Sequence, residues 1–474
     1  MNKYMISVLI LLGVSINIKA TAQPSVQWAS EVLGVSSQFV DFERPQPNQY
    51  KAEQALGKPD KLPAFGESPC AWSPATKSNP NGEWIKLGFA QPMPIAQIAV
   101  AENCNPGAIS AVYAYDAGGT KHLLYRNPNV GPISAKGRMF SILSKTDFPV
   151  KAVELVLSTD KVPGFNQIDA VAISSSTEEI KAEINLAEKL NLSSRPENLG
   201  ESINSIYQEI APIVTPDGRT LYFTRAEHPE NIGSPEKQDV WYAEIKAEAS
   251  FGEALNIGPP INTPQHNSSF SITPDGNTML LNNVYNDDGT LERGLSITRR
   301  LGANQWAKPE KVVIQDYYNL NDFSEFCLSQ DGKILLMTVQ RNESNGDKDI
   351  YFSRLQSDGT WSTPQNLSST VNTAASETSP FLASDGKTLY YSTAGLSGYG
   401  SNDIYVTRRL DNTWTNWSEP QNLGPEINTP QWDAYFSISA RAIMPTTLPM
   451  PIPSVRVISS GFGSRRATNP SRWP

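Results

Sequence analysis

Thr215-Pro216-Asp217-Gly218-Arg219-Thr220-Leu221-Tyr222-Phe223 is a turn followed by an apolar run, and the chain repeats it three times. The copies read Thr273-Pro274-Asp275-Gly276-Asn277-Thr278-Met279-Leu280-Leu281, Ser329-Gln330-Asp331-Gly332-Lys333-Ile334-Leu335-Leu336 and Ser384-Asp385-Gly386-Lys387-Thr388-Leu389-Tyr390-Tyr391. Asp-Gly between two apolar runs predicts a tight hairpin whose two central residues both take φ > 0. Asp217, Gly218, Asp275, Gly276, Asp331, Gly332, Asp385 and Gly386 are therefore read as structural turn residues. Successive pairs stand 58, 56 and 54 residues apart. A third apolar run follows in every unit, at Asp239-Val240-Trp241-Tyr242, Gly294-Leu295-Ser296-Ile297, Asp349-Ile350-Tyr351-Phe352 and Asp403-Ile404-Tyr405-Val406. A fourth segment follows Trp306, Trp361 or Trp417. Four short strands in a period of about 55 residues make one blade of a β-propeller. Residues 195–441 are thus expected to hold four clear blades and an incomplete fifth.

The fifth unit opens on schedule, because Gly424-Pro425-Glu426-Ile427-Asn428-Thr429-Pro430 and Tyr435-Phe436-Ser437-Ile438 echo Gly258-Pro259-Pro260-Ile261-Asn262-Thr263-Pro264 and Ser269-Phe270-Ser271-Ile272. No Asp-Gly turn follows. From Ala442 the text becomes Pro-rich, and joining the last base of each codon to the first two of the next permits an aromatic, blade-like reading. Residues 442–474 are therefore expected to be a frame-shifted, non-native tail, and the propeller five-bladed if in frame. Pro196-Glu197-Asn198-Leu199-Gly200 copies Pro420-Gln421-Asn422-Leu423-Gly424 and is expected to supply the last blade's missing strand. A fifth blade left mostly absent exposes sheet edges, so reduced stability is expected.

Upstream, residues 24–176 carry short alternating or apolar runs punctuated by Gly and Pro, the signature of an antiparallel β-sandwich. Residues 178–190 space Ile180, Ile184, Ala187 and Leu190 at helical intervals, which predicts a helical linker over 177–194. Residues 1–22 read as a cleaved signal peptide: Lys3, an apolar stretch, then Ala20-Thr21-Ala22. The alternative is an uncleaved anchor. No later stretch is long and apolar enough to span a membrane as a helix.

Two segments of the sandwich carry a resemblance. Tyr50-Lys51-Ala52-Glu53-Gln54-Ala55-Leu56-Gly57-Lys58-Pro59-Asp60 and Gly164-Phe165-Asn166-Gln167-Ile168-Asp169-Ala170-Val171 resemble the discoidin-like, galactose-binding-like jelly roll. Such folds often bind glycans through loops at one end, which makes Trp72 a ligand-binding candidate by stacking on a sugar. The alternative places Trp72 and Trp84 in a structural core or rim. Cys70 and Cys104 share the module and form a possible disulfide in an oxidising compartment; whether they pair is left open. The repeats resemble the WD40-like propeller repeats of TolB and of OmpA-family envelope proteins. Relatives with this module order often continue into an OmpA domain that grips peptidoglycan, and some resemble accessory proteins of the Bacteroidetes gliding and type IX secretion machinery.

The 474 residues include 39 Lys plus Arg against 48 Asp plus Glu, a net charge of −9. That balance argues against nucleic acid or an anionic membrane as partner. Three His and three Cys are too few for a Cys-rich zinc site. Asp239, Asp349 and Asp403 stand where a strand leaves a loop and are assigned local backbone hydrogen bonds. No catalytic residue, metal ligand or cofactor is expected. The fold expected is all-β, a jelly-roll sandwich followed by a propeller. The function expected is a non-catalytic, exported cell-envelope binding or scaffold protein of periplasm or outer membrane, with protein or glycan partners. Peptidoglycan would be held only through a C-terminal domain absent from these residues. The alternatives are a secreted lectin and an accessory module of a hydrolase.

Overall fold

The computed structural model describes residues 26–42, 46–187, 198–215, 217–246, 250–273, 275–303 and 305–437. The expected signal peptide and non-native tail, and residues 188–194 of the expected linker, lie outside the described residues. The protein is all-β: among the described residues the helical element is one 3₁₀ turn, Ala52–Ala55.

Nine strands form the first module: β1 (Val26–Trp28), β2 (Glu31–Val35), β3 (Glu83–Met93), β4 (Gln97–Cys104), β5 (Ile109–Asp116), β6 (Lys121–Arg126), β7 (Arg138–Leu143), β8 (Val150–Leu157) and β9 (Gln167–Ser174). They build two antiparallel sheets, ordered β1-β9-β4-β7 and β2-β3-β8-β5-β6. The pleat explains the sequence. In β3, Ile85 and Leu87 point inward and are fully buried, whereas Trp84, one residue before Ile85 on the other face, is 39% exposed. Strand β9 is buried on both faces. Val171 and Ile173 enter the core between the sheets; Ala170 and Ala172 face the other way.

What covers that outer face corrects the expected helix. Residues 177–187 contain no helix and run as an extended strap. Ile180 lies on Ala99 and Ala172, and Ala182 packs near Ala101, Ala170 and Leu62. The strap then bridges to the propeller: Asn422 N–H donates to Asn185 O at 2.7 Å and Ala187 N–H to Asn422 O at 2.9 Å. Alternate side chains bury against small residues of β9, and the backbone pairs with a strand, so tertiary contacts override a helical spacing.

The repeats form four antiparallel sheets. The first holds β10 (Gln208–Val214), β11 (Thr220–Ala226), β12 (Gln238–Glu244) and β13 (Leu255–Asn256). The second holds β14 (Ser269–Ile272), β15 (Thr278–Tyr285) and β16 (Leu291–Gly302), with β17 (Gln305–Trp306) and β18 (Glu310–Lys311) both on β16. The third holds β19 (Glu325–Leu328), β20 (Ile334–Val339), β21 (Asp349–Arg354) and β22 (Gln365–Asn366). The fourth holds β23 (Glu377–Leu382), β24 (Thr388–Thr393), β25 (Asp403–Arg408) and β26 (Gln421–Asn422). First strands touch in succession, β10 to β14 to β19 to β23, as propeller blades do around an axis. Phe436 opens the fifth unit and packs on Tyr390, Ile404 and Leu423 of the fourth sheet. Of the segment expected to close the ring, Pro196 and Glu197 lie outside the described residues; Leu199 sits against Ile203, Leu221 and Phe223 of the first blade.

Candidate functional site

The eight turn residues cap the hairpins on one face of the propeller. In each turn a glycine N–H donates back three residues, Gly218 to Thr215 O at 2.7 Å and Gly332 to Ser329 O at 2.9 Å. The positive φ falls on the glycine, at 67°, 69°, 68° and 63° for Gly218, Gly276, Gly332 and Gly386. Asp331 and Asp385 do not share it. The expectation that both central residues take φ > 0 is therefore corrected: the loop is a type I turn followed by a left-handed glycine. Asp217, Asp275 and Asp331 accept from the hydroxyl two residues back and the amide two residues on; Asp385 accepts the amides of Lys387 and Thr388 instead.

The opposite face is built from the loops that enter the first and third strands. Here Asp239, Asp349 and Asp403 are buried, and each is the centre of a repeated latch. Asp349 accepts from Asn345 N–H at 2.8 Å and from the Asn366 amide at 2.7 Å. The Asn366 oxygen accepts from Asn372, whose side chain pairs with both backbone groups of Ile350, at 2.8 and 3.0 Å. Asp239-Asn256-Asn262 and Asp403-Asn422-Asn428 repeat this pattern. The asparagines escaped the sequence reading, although their six-residue spacing within Asn-Leu/Ile-(four residues)-Asn was the available signal. The second blade has Gly294 in place of the aspartate, and Val312 N–H bonds Leu295 O directly. Burial pushes the Asp349 carboxyl up to about 6.

The sandwich seats on this loop face over the third and fourth blades. Gln49 donates to Ala374 O at 3.1 Å, Asn48 to Asn345 at 3.4 Å, and Ser397 Oγ to Pro59 O. Lys61, 6% exposed, donates to Gly400 O at 3.1 Å. Behind it, Asp169 holds the loop in place by accepting the backbone amides of Asp60, Lys61 and Leu62.

Two readings that the sequence left open are decided in this region. Trp72 is fully buried in the sandwich core and its indole N–H donates to Ser37 O at 3.0 Å, so it presents no face to a sugar. Cys70 and Cys104 are both free thiols. Cys70 is buried against Ala374 and Ala375 of the propeller, while Cys104 ends β4, so no disulfide joins them. Burial pushes the Cys104 thiol up to about 11.

The sandwich loops beside the docking surface offer other polar groups. Asn103 Oδ1, Asn166 Oδ1 and Gln167 Nε2 are buried and lack hydrogen-bond partners. Phe65, 53% exposed, lies over the same loops.

On the propeller axis lies a cavity of about 90 Å³. First strands of all four blades and residues 435–437 line it. Its walls are mixed: Phe270, Phe326, Phe381 and Phe436 supply apolar surface, Ser271, Gln330, Ser379, Ser384 and Ser437 polar groups, and Glu325 is its one charged lining residue. Glu325 and Tyr435 stand at the starts of their segments, on the loop face, and both keep partial exposure. The Glu325 carboxylate accepts from Ser379 N–H at 2.5 Å and from the Tyr435 hydroxyl. Burial, and then Glu325, hold that phenol well above its ordinary range. On the loop face, the segments that lead into these first strands leave Ile206, Leu320, Phe323 and Trp432 exposed, at 93%, 59%, 54% and 41%. The equivalent loop before the fourth blade, at Ala374 and Ala375, is covered by the sandwich. Among the described residues there is no group of three or more His, Cys, Asp or Glu able to hold a metal ion, and no helix long and apolar enough to cross a membrane.

The Pappalysin-1, SD scarf domain, C-terminal family matches residues 19–183. No curated protein matches the sequence. TolB from Acinetobacter baumannii is similar at 15% identity and a TM-score of 0.33, over 50% of this chain and 48% of that chain, about half its length. The family 32 carbohydrate-binding module from Streptococcus pneumoniae EndoD is similar at 11% identity and a TM-score of 0.23, over 31% and 95%. A pectin-binding carbohydrate-binding module is similar at 14% identity and a TM-score of 0.22, over 32% and 96%. Likeness at these scores carries no argument of its own, and the architecture rests on the strand pairing above.

Proposed function

We propose that this chain is a non-catalytic binding protein of the cell envelope, whose sandwich and propeller form one platform for a protein partner. One observation carries the reading. The sandwich occupies the loop face at the fourth blade, and other loops on that face, those leading into first strands that line the axial cavity, leave apolar side chains exposed. Exposed apolar groups rimmed by polar loops are what a binding surface presents. Export to the periplasm or outer membrane follows from the reading of residues 1–22. A link to peptidoglycan or type IX secretion belongs to the same proposal and would run through partners.

The test is binding of immobilised full chain to envelope proteins, compared with the Phe323→Ala, Trp432→Ala double variant. A partner that binds the parent and is lost by the variant, with melting unchanged, supports the reading. Equal binding by both, or turnover of a substrate by the parent, rejects it.

A second reading, a secreted lectin, would seat a sugar on Phe65, an aromatic ring 53% exposed on the sandwich loops. An exposed aromatic ring offers an apolar face on which a sugar can stack. Glycan-array signal that disappears in Phe65→Ala would favour it; signal unchanged by that substitution would reject this site.

A further inference from the structure

We propose that the axial cavity takes a single lysine or arginine side chain from an extended segment of a partner protein. The proposal rests on the binding reading above and gives it a chemistry. A cavity of about 90 Å³ is too small for a drug-sized ligand, for which sites of ~300 Å³ or more are usual, and suits one side chain. Phe270, Phe326, Phe381 and Phe436 supply an apolar wall for an aliphatic stem.

The polar groups in the cavity define what sits at the end of that stem. Glu325 is the one charged lining residue, and among the described residues no Lys or Arg forms an ion pair with it. Its hydrogen bonds come from neutral donors, Ser379 N–H, Thr338 Oγ1 and the Tyr435 hydroxyl. Ser379 Oγ and Ser437 Oγ line the same cavity, are buried (9% and 4% exposed) and have no hydrogen-bond partner. A carboxylate in a cavity that also holds two idle hydroxyls accepts an ammonium or guanidinium and repels an anion, and charge-assisted bonds are the strong ones. A bare metal ion would find one carboxylate where hard cations gather several.

The mouth favours a peptide over a free amine. Ile206, Phe323 and Trp432 are exposed on the loop face, in the segments that lead into cavity-lining residues, and would receive the residues that flank the inserted one. The segment would lie across the loop face with the basic side chain directed down the axis.

Acetylated, amidated hexapeptides that differ only at one central position, Lys, Arg, norleucine or Glu, test this by fluorescence anisotropy with the full chain. The Lys and Arg peptides should bind at least tenfold more tightly than norleucine, and the Glu peptide should not bind. In Glu325→Gln the preference for Lys and Arg over norleucine should vanish while norleucine binding stays. If that variant does not fold, 0.5 M NaCl on the parent protein gives the second measurement: the preference should shrink several-fold. Equal binding of norleucine and Lys, a preference unchanged by Glu325→Gln or by salt, or no binding by any peptide overturns the proposal. Should the peptides fail while envelope partners still bind and are lost in the Phe323→Ala, Trp432→Ala variant, only the cavity assignment falls. If neither binds, the wider reading falls with it.

Discussion

At the scale of single residues, burial decides roles that residue type leaves open. Trp72 had the right chemistry for a sugar platform, but its neighbours Ile85, Ile168 and Val171 enclose it. Trp72→Ala should therefore cost about 3–5 kcal/mol of sandwich stability, read by denaturant unfolding, through the cavity it leaves. A loss below about 1 kcal/mol would return Trp72 to the surface. Glu377 is the second case. It is fully buried beneath the sandwich contact, accepts bonds from Thr373 and Thr393, and is pushed up to about 8 by burial and then by Asp349. An unfolded glutamate titrates near ~4.3, so between that value and about 8 the folded state holds a proton that the unfolded state has released. Stability must then fall as pH rises through that window, by at most about 1.4 kcal/mol per pH unit for this group, and level off above it. Glu377→Gln should flatten the decline in melting temperature between pH 5 and 8; an unchanged slope would contradict the assignment. Neither role could be read from sequence, because each depends on packing by residues distant in the chain, for Trp72 within its own sandwich and for Glu377 beneath the other module.

At the scale of elements, hairpins were legible and the connecting strap was not. Asp-Gly before an apolar run is a local signal, set by turn geometry within a few residues. The strap obeys distant partners: Ala99 and Ala172 receive Ile180, and Asn422 pairs with the backbone around Leu186. Glu183→Pro separates the two descriptions. An extended strap should tolerate it within about 1 kcal/mol, whereas a helix interior would lose ~3 kcal/mol or more, measured by thermal unfolding. The latch behaves differently. Asn372 satisfies both buried backbone groups of Ile350, so Asn372→Ala should cost about 2–4 kcal/mol by stranding a donor and an acceptor. Asn342→Ala, at an exposed position, serves as the control for a generic loss of an asparagine.

At the scale of the whole molecule, the repeat period established the architecture, because each blade is built mainly from residues close in sequence. The seat of one module on the other was invisible, since Gln49, Lys61 and Cys70 meet Ala374 and Gly400 across more than 300 positions. That seat shapes the candidate site: it fills one position on the loop face and leaves the axial mouth beside it. Hydrogen exchange of the full chain, with and without a partner drawn from the envelope-binding assay, tests this central claim most directly. Protection should appear in residues 317–328 and 428–437, at the loops and first strands around the mouth. Protection confined to the opposite face, in the hairpins at 217–220 and 329–334, would contradict it.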